Sequence, residues 1–371
     1  MQRVEEIARD ILGKAGIVPN GPNPCDIQVH NPEMYRQALR GGSIGLGESY
    51  MDGWWDCERL DEFFLRVFEA DLEKKIRPNF GLAWHFALAY IFNLQSKRRA
   101  FQVGEAHYDI GNDLFEVMLD SRMIYTCGYW KDARDLESAQ VAKLDLVCRK
   151  IALKSGQKIL DIGCGWGGFA TFAAERYGAE VVGITVSKEQ VALAREKTKG
   201  LPIEIRLQDY RDVHETFDHI VSLGMFEHVG YKNYRTYMET VRRCLKEEGL
   251  FLLHTIGGNQ SRLSVDPWTE KYIFPNGMLP SIKQIGASIE GLLVMEDWHN
   301  FGADYDTTLM AWHERFVHGW PQLKGKYNER FFRMWTYWLL SSAASFRARD
   351  NQLWQIVLSP RGTAGGYTPI R

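Results

Sequence analysis

Apolar residues recur along the chain with two periods, and the pattern changes near residue 110. Up to about residue 96 the spacing is helical. "EEIARDILGKAG" carries an apolar face and ends on a glycine suited to a C-cap. "NPEMYRQALRGG" has the same form, and "RLDEFFLRVFEADL" again gathers its apolar residues on one side. Between these two, "GGSIGLGESYMDGWWD" is rich in glycine and is expected to form a turn or loop. The charged stretch "NLQSKRRAFQVGEAHYDIGND" reads as a connector. The expected organisation is a mainly helical domain over 1–96, a linker over 97–109 and a larger domain over 110–371.

In the larger domain, segments of strand and helix pattern alternate. "AQVAKLDLVCRKIAL" has Val141, Leu144, Cys148 and Ile151 at helical spacing. "QKILDIG" is a short buried strand, and "GGFATFAAERYG" a helix closed by Gly178. "AEVVGITV" is a strand rich in β-branched residues. "SKEQVALAREKTKG" is a helix in which Ser187 and Gln190 have capping-box spacing. "IEIRLQ", "FDHIVSLG" and "GLFLLHTI" are further strands, with the helix "NYRTYMETVRRCLKEEG" before the last. The remainder adds a helix and late strands, "LLVMEDWHNF" and "NQLWQIVLS". Alternating strands and helices imply an α/β fold with a parallel sheet covered on both faces.

Composition narrows the function classes. A formal charge of −2 over 371 residues gives no support for nucleic-acid binding driven by net charge. Six scattered cysteines without paired spacing fit a reduced, cytoplasmic protein better than a disulfide framework or a zinc site, and no metal is expected. The first residues lack the apolar run of a signal peptide. The longest apolar stretch, "FGLAWHFALAYIFNL", is shorter than the roughly 18–20 residues that span a bilayer. Twelve tryptophans and 13% aromatics are unusual. They serve either a large aromatic core or a pocket for an apolar ligand.

"LDIGCGWGG" lies between a strand and a helix. Gly163, Gly165 and Gly167 let the backbone turn sharply and approach a ligand. Asp161 precedes the first glycine, and Cys164 and Trp166 lie between the glycines. D-x-G-x-G-x-G resembles the S-adenosylmethionine loop of class I methyltransferases. A nucleotide phosphate loop is the competing reading, and no G-K-[ST] follows to support it. Class I methyltransferases usually end the second strand with an acid for the ribose hydroxyls. Here "GITVSKEQ" offers Thr185, Ser187 and Gln190, of which Ser187 and Gln190 also have a purely structural explanation as a cap. After the next strand, "LQDYRD" offers Asp209 for the adenine amino hydrogens and Tyr210 to flank the ring, or simply opens a turn.

Together "GLGESYMDGWW", "HYDIGNDLFEVMLD", "YTCGYW", "LDIGCGWGG", "LQDYRD", "MFEHVG", "LLHTIG", "KYIFPNG" and "NFGADYDTTLMAW" resemble the bacterial cyclopropane-fatty-acid synthases and their mycolic-acid relatives. The similarity covers almost the whole chain. It implies a class I, Rossmann-like methyltransferase domain with a smaller helical N-terminal domain. It also implies S-adenosylmethionine as methyl donor, bound in part by Tyr125 and Thr126, and a cis double bond in a membrane phospholipid as acceptor. Bound bicarbonate is implied as the base, held by Cys127, Glu227, His254, Ile256 and Tyr305. His254 and Tyr305 can donate hydrogen bonds, Ile256 can do so through its N–H, and an ionised Glu227 can only accept. Glu227 is then a holder of the ion, and its neighbour His228 plays no part. An apolar aromatic tunnel would keep water from a carbocation-like centre.

One position departs from the family pattern. In "YWLLSSAASFRARD", Ser342 stands where well-known members have cysteine. An essential cysteine nucleophile would make this chain inactive, leaving a lipid-binding homologue. The implied chemistry needs no covalent enzyme intermediate, so activity is expected to survive. A methyltransferase without ring closure is the other alternative. The resemblance further implies a homodimer and an N-terminal domain that engages lipid. Basic and aromatic residues in "EKKIRPNF" and "QSKRRAF" are expected to meet the inner face of the membrane peripherally, unless they form only a solvated face.

Overall fold

The computed structural model describes residues 2–72 and 111–371, so the linker and both basic segments lie outside the described residues. The described chain forms two compact units. One gathers residues 2–72, 264–275 and 305–351; the other gathers 111–263, 276–304 and 352–371. Two late segments, expected within a continuous domain from 110 to 371, thus pack with the N-terminal helices. The reason lies in the apolar faces. Helix Leu60–Glu69 presents Phe64, whose ring is 4.9 Å from Tyr337 of helix Glu329–Arg347. Trp268 is 4.5 Å from the same tyrosine. Arg347 joins the layers electrostatically, donating to Asp61 at 2.8 Å and to both oxygens of Asp306 at 2.9 Å.

The glycine-rich stretch expected as a turn or loop is helical up to Met51 and turns only over 52–54. A helix runs over Glu33–Met51 with a kink at Gly42 (φ 57°, ψ −133°). One of its glycines serves close packing against a distant side chain: a Cβ on Gly47 would lie 2.3 Å from the Trp268 indole nitrogen. Contact with a buried tryptophan outweighs the intrinsic cost of glycine in a helix, about 1 kcal/mol. Trp55 and Trp335, from two of the aromatic clusters, are fully buried, so these rings are core.

Among the described residues, the second unit is built on seven strands: β1 (Lys158–Ile162), β2 (Glu180–Thr185), β3 (Ile203–Leu207), β4 (Phe217–Leu223), β5 (Leu245–Gly258), β6 (Val294–Asn300) and β7 (Asn351–Ser359). Their order is β3-β2-β1-β4-β5-β7-β6. The pairs among β1 to β5 are parallel, as the alternating pattern predicts. β6 and β7 pair antiparallel, so the sheet is mixed rather than wholly parallel. Most of β6 is exposed or half-buried, and such an edge strand is free of the continuous apolar run that a buried parallel strand needs.

Among the described residues, helices that flank the sheet include α1 (Leu136–Lys150), α2 (Gly168–Tyr177), α3 (Lys188–Lys197), α4 (Tyr234–Cys244) and α5 (Ile282–Ile289). An Asp135 capping box opens α1, and left-handed Gly178 closes α2. α4 stops at Cys244 instead of continuing through "LKEEG", because Leu245 already pairs with Phe217. Successive strand residues face opposite layers. Leu160 and Ile162 pack with Tyr237, Val241 and Ile285, while Ile159 packs with Leu144 and Phe169.

Candidate active site

The strand order reverses at β1, with β2 on one side and β4 on the other. Ligands in open α/β sheets bind outside the carboxyl ends of the strands at such a point. The glycine loop leaves β1 here, and "MFEHVG" leaves β4. The two loops touch: a Cβ on Gly163 would lie 2.6 Å from the Met225 Cβ. Gly163, Gly165 and Gly167 all have positive φ (84°, 54° and 82°), a conformation that favours glycine. The N–H groups of Gly163 and Cys164 donate to the Ile184 carbonyl at 2.9 and 3.0 Å, fixing the turn. Beside Gly165 there is open space, with nothing within 4 Å of where its Cβ would stand.

Asp161 is buried, and burial pushes its carboxyl up to about 7. Its Oδ2 has no hydrogen-bond partner. A bare glycine approach and an orphaned carboxyl oxygen fit a ligand that brings its own hydrogen-bond donors, such as the amino acid portion of S-adenosylmethionine. Trp166 donates its indole N–H to Asn112 at 3.0 Å. Its ring is 4.9 Å from Phe115, which is 5.0 Å from Tyr125. An aromatic wall therefore joins the glycine loop to the Tyr125–Cys127 segment.

At the end of β2, the Thr185 hydroxyl donates to Gln190 Oε1 at 2.8 Å. Ser187 caps α3 by accepting the Gln190 N–H at 3.3 Å. Only half of the expected capping box forms, because the Gln190 side chain turns to Thr185. This buried amide–hydroxyl pair stands where an acid would otherwise meet a ribose. Buried Asp209 accepts from the Arg211 N–H at 3.0 Å and from its guanidinium at 3.3 Å. The Tyr210 ring packs in the core, 4.9 Å from Tyr237.

Glu227 lies in a short 3-10 turn after β4, and its carbonyl accepts the Met278 N–H at 2.9 Å. The side chain is buried, and burial pushes it up to about 7. Oε1 accepts the Ile256 N–H at 2.7 Å; Oε2 is buried without a partner. The Ile256 N–H, expected to face a bound ion, is thus directed at Glu227. A buried carboxyl with no cation beside it draws the nearest backbone donor. His228 is held down to about 4 by desolvation.

His254 is on β5, paired with Leu223 of β4. Burial holds its imidazole well below the usual range, so it is neutral. Gln355 Nε2 approaches Nδ1 at 3.3 Å; with the amide as donor, the ring hydrogen sits on Nε2. Nε2 has no partner. One unpartnered donor and one unpartnered carboxyl oxygen at a single sheet edge make a chemistry that suits a small oxyanion carrying a hydroxyl. Cys127, also buried, points its Sγ to the Gly128 carbonyl at 3.1 Å. Thr126 packs on Gly224, whose N–H donates to the His254 carbonyl at 2.9 Å. Four of the five expected residues, Cys127, Glu227, His254 and Ile256, share the sheet unit. Tyr305 belongs to the helical unit, near the start of helix Ala303–Leu323, its ring 4.6 Å from Phe346.

The hydrophobic pattern missed what α1 contributes. It assigned Val141 to the buried face, yet Val141 is 42% exposed, whereas Gln140 and Lys143 are fully buried. Both contact Thr126. Their polarity disguised them, and only the three-residue spacing on one helix face could have paired them.

The family model for mycolic acid cyclopropane synthetase matches residues 95–356. The chain is 58% identical over 365 residues to cyclopropane-fatty-acyl-phospholipid synthase of Escherichia coli strain K12, covering 98% of this chain and 95% of that protein. The cyclopropane synthase MmaA2 from Mycobacterium tuberculosis has a solved structure that matches with a TM-score of 0.66 and 28% identity. That match covers 70% of this chain and 97% of the other. The mycolic acid cyclopropane synthase CmaA1, complexed with SAH and CTAB, matches with a TM-score of 0.65 and 29% identity, over 70% and 97% of the two chains.

Proposed function

The chain belongs to the mycolic acid cyclopropane synthetase family, and from that premise we propose that it is a cyclopropane-fatty-acyl-phospholipid synthase. It adds one CH2 to the cis double bond of an unsaturated acyl chain in a membrane phospholipid. The observation that carries this reading is 58% identity over 98% of the chain to the Escherichia coli enzyme.

S-adenosylmethionine supplies an electrophilic methyl group. The glycine loop gives it a close backbone approach, Asp161 accepts from its amino group, and Thr185 and Gln190 meet the ribose. Asp209 receives the adenine amino hydrogens. Overall, the sulfur–methyl bond breaks with its electron pair left on sulfur as S-adenosylhomocysteine, the methyl carbon bonds both alkene carbons in place of their π bond, and one methyl proton leaves. Bicarbonate supplies the acceptor for that proton. Glu227 would accept the ion's hydroxyl hydrogen through its unpartnered oxygen, and the His254 Nε2–H would donate to the ion. The neutral imidazole adds no positive charge to a site that must tolerate a cation. Buried Cys127 closes one side. Aromatic walls exclude water, which would otherwise trap the developing cation.

The substrate lies in a bilayer, and no helix among the described residues is long and apolar enough to cross one. Engagement is peripheral, at the inner face, by a cytoplasmic homodimer whose two copies give avidity. The test is turnover of unsaturated phospholipid vesicles with S-adenosylmethionine and bicarbonate, followed by NMR. Cyclopropyl resonances replacing olefinic ones support the reading. A methylated product without cyclopropyl signals would indicate transfer without ring closure, and absence of product would indicate a lipid-binding homologue.

A further inference from the structure

Lys143 and Gln140 are polar, fully buried and three residues apart on α1. A buried ammonium is costly unless something requires it. Lys143 Nζ donates to the Thr126 hydroxyl at 2.8 Å, and Gln140 Nε2 donates to the Thr126 carbonyl at 2.8 Å. One helix thus grips both oxygens of a single residue. The opposite side of Thr126 is equally confined, because a Cβ on Gly224 would lie 2.5 Å from the Thr126 methyl. Gly224 is itself bonded through its N–H to the His254 carbonyl.

Thr126 is flanked by two residues of the site. Tyr125 contributes to the aromatic wall that continues through Phe115 to Trp166 of the glycine loop. Cys127 is fully buried beside Lys143. The acids that balance the ammonium are also local: Asp120, whose carboxylate accepts the Ile124 N–H at 2.7 Å, and Asp161 at the end of β1. A helix-to-strap clamp at this point sets the methyl-donor side and the proton-acceptor side of the crevice together.

We propose that Gln140 and Lys143 are positioning residues, a two-pronged clamp on Thr126 that registers the Tyr125–Cys127 strap against the strand edge carrying His254. This inference rests on the methyl-transfer reading of the site. The clamp acts through geometry, and small misplacements of reacting groups cost large factors in rate.

The test compares Thr126→Val, which keeps shape and loses the hydroxyl, with Thr126→Ser, which keeps the hydroxyl. Lys143→Met and the Lys143→Met/Thr126→Val double variant complete a cycle. Vesicle turnover gives kcat and KM, and calorimetry gives the affinity for S-adenosylhomocysteine. Thr126→Val should lower kcat about tenfold or more, while product affinity changes less than about threefold. Thr126→Ser should recover most of the kcat that Thr126→Val loses. The double variant should be no slower than Lys143→Met alone, since the two changes remove one interaction. Independent multiplication of the single effects overturns the clamp and assigns the hydroxyl to direct ligand contact. Wild-type kcat in Thr126→Val also overturns it, and that comparison stands even if Lys143→Met fails to fold. An inactive wild-type protein would instead remove the methyl-transfer reading itself.

Discussion

Replacing Glu227 with glutamine should make the protein more stable at pH 8 and less active. Oε1 already accepts the Ile256 N–H at 2.7 Å, a bond that a glutamine carbonyl preserves. The other oxygen is buried without a partner, and burial lifts the carboxyl from 4.5 to about 7. An acid whose folded-state pKa is raised contributes stability below its unfolded value. That contribution is lost as pH rises through the folded value, so here it fades between about 4.5 and 7. Ionising Glu227 within the fold therefore costs about 3 kcal/mol at pH 8, taking ~1.4 kcal/mol for each tenfold change in proton affinity. Glutamine carries no such cost. Urea unfolding of Glu227→Gln and wild type in bicarbonate-free buffer should show a gap of up to about 3 kcal/mol at pH 8, narrowing toward pH 5. Asp161 has a similar slope in both proteins and cancels from the difference. Equal stability at pH 8, or a gap that widens at low pH, would refute the assignment of a buried, cation-free carboxyl. The accompanying loss of turnover follows the usual conflict between stability and function at a polar site.

Gly47→Ala should lower the melting temperature. Its Cβ would meet the Trp268 nitrogen at 2.3 Å, and an overpacked core site costs about 1–3 kcal/mol, more than the helix propensity it gains; a raised melting temperature would contradict that packing. Gly165→Ala places a methyl group in the open space of the glycine loop at φ 54°, and should weaken S-adenosylhomocysteine binding at least about tenfold in calorimetry, about 1.4 kcal/mol. Unchanged affinity would move the ligand away from that loop. Ser342→Cys should alter turnover less than about twofold, since Ser342 takes no covalent part; a large gain would reinstate a thiolate nucleophile.

Much of the sheet is readable in the pattern of apolar positions, because parallel strands buried on both faces leave short continuous runs such as "KILDI" and "EVVGIT". The glycine loop is equally plain, since three positive φ values in five residues demand that composition. Local pattern fails where a distant partner decides the outcome. Gly47 looks like loop until Trp268, more than 200 residues later, supplies the surface that makes a helical glycine favourable there. The continuous domain from 110 onward divides for the same reason: the aromatic face of helix Glu329–Arg347 matches the N-terminal helices better than the sheet. Lys143 escapes notice because a lysine on an amphipathic helix ordinarily marks the solvent side. The residues assigned to bicarbonate came from family resemblance, and spacing alone would not have joined Glu227 to His254.

Cyclopropane formation in carbon-dioxide-free buffer, followed by NMR as bicarbonate is added, tests the account most directly. The vesicles carry monounsaturated phospholipid, and S-adenosylmethionine is saturating. Cyclopropyl signal should appear at a rate that climbs with bicarbonate and saturates, and Glu227→Gln should need more of the ion to reach its own plateau. A rate indifferent to bicarbonate in both proteins would contradict the assignment of the base and of the residues that hold it.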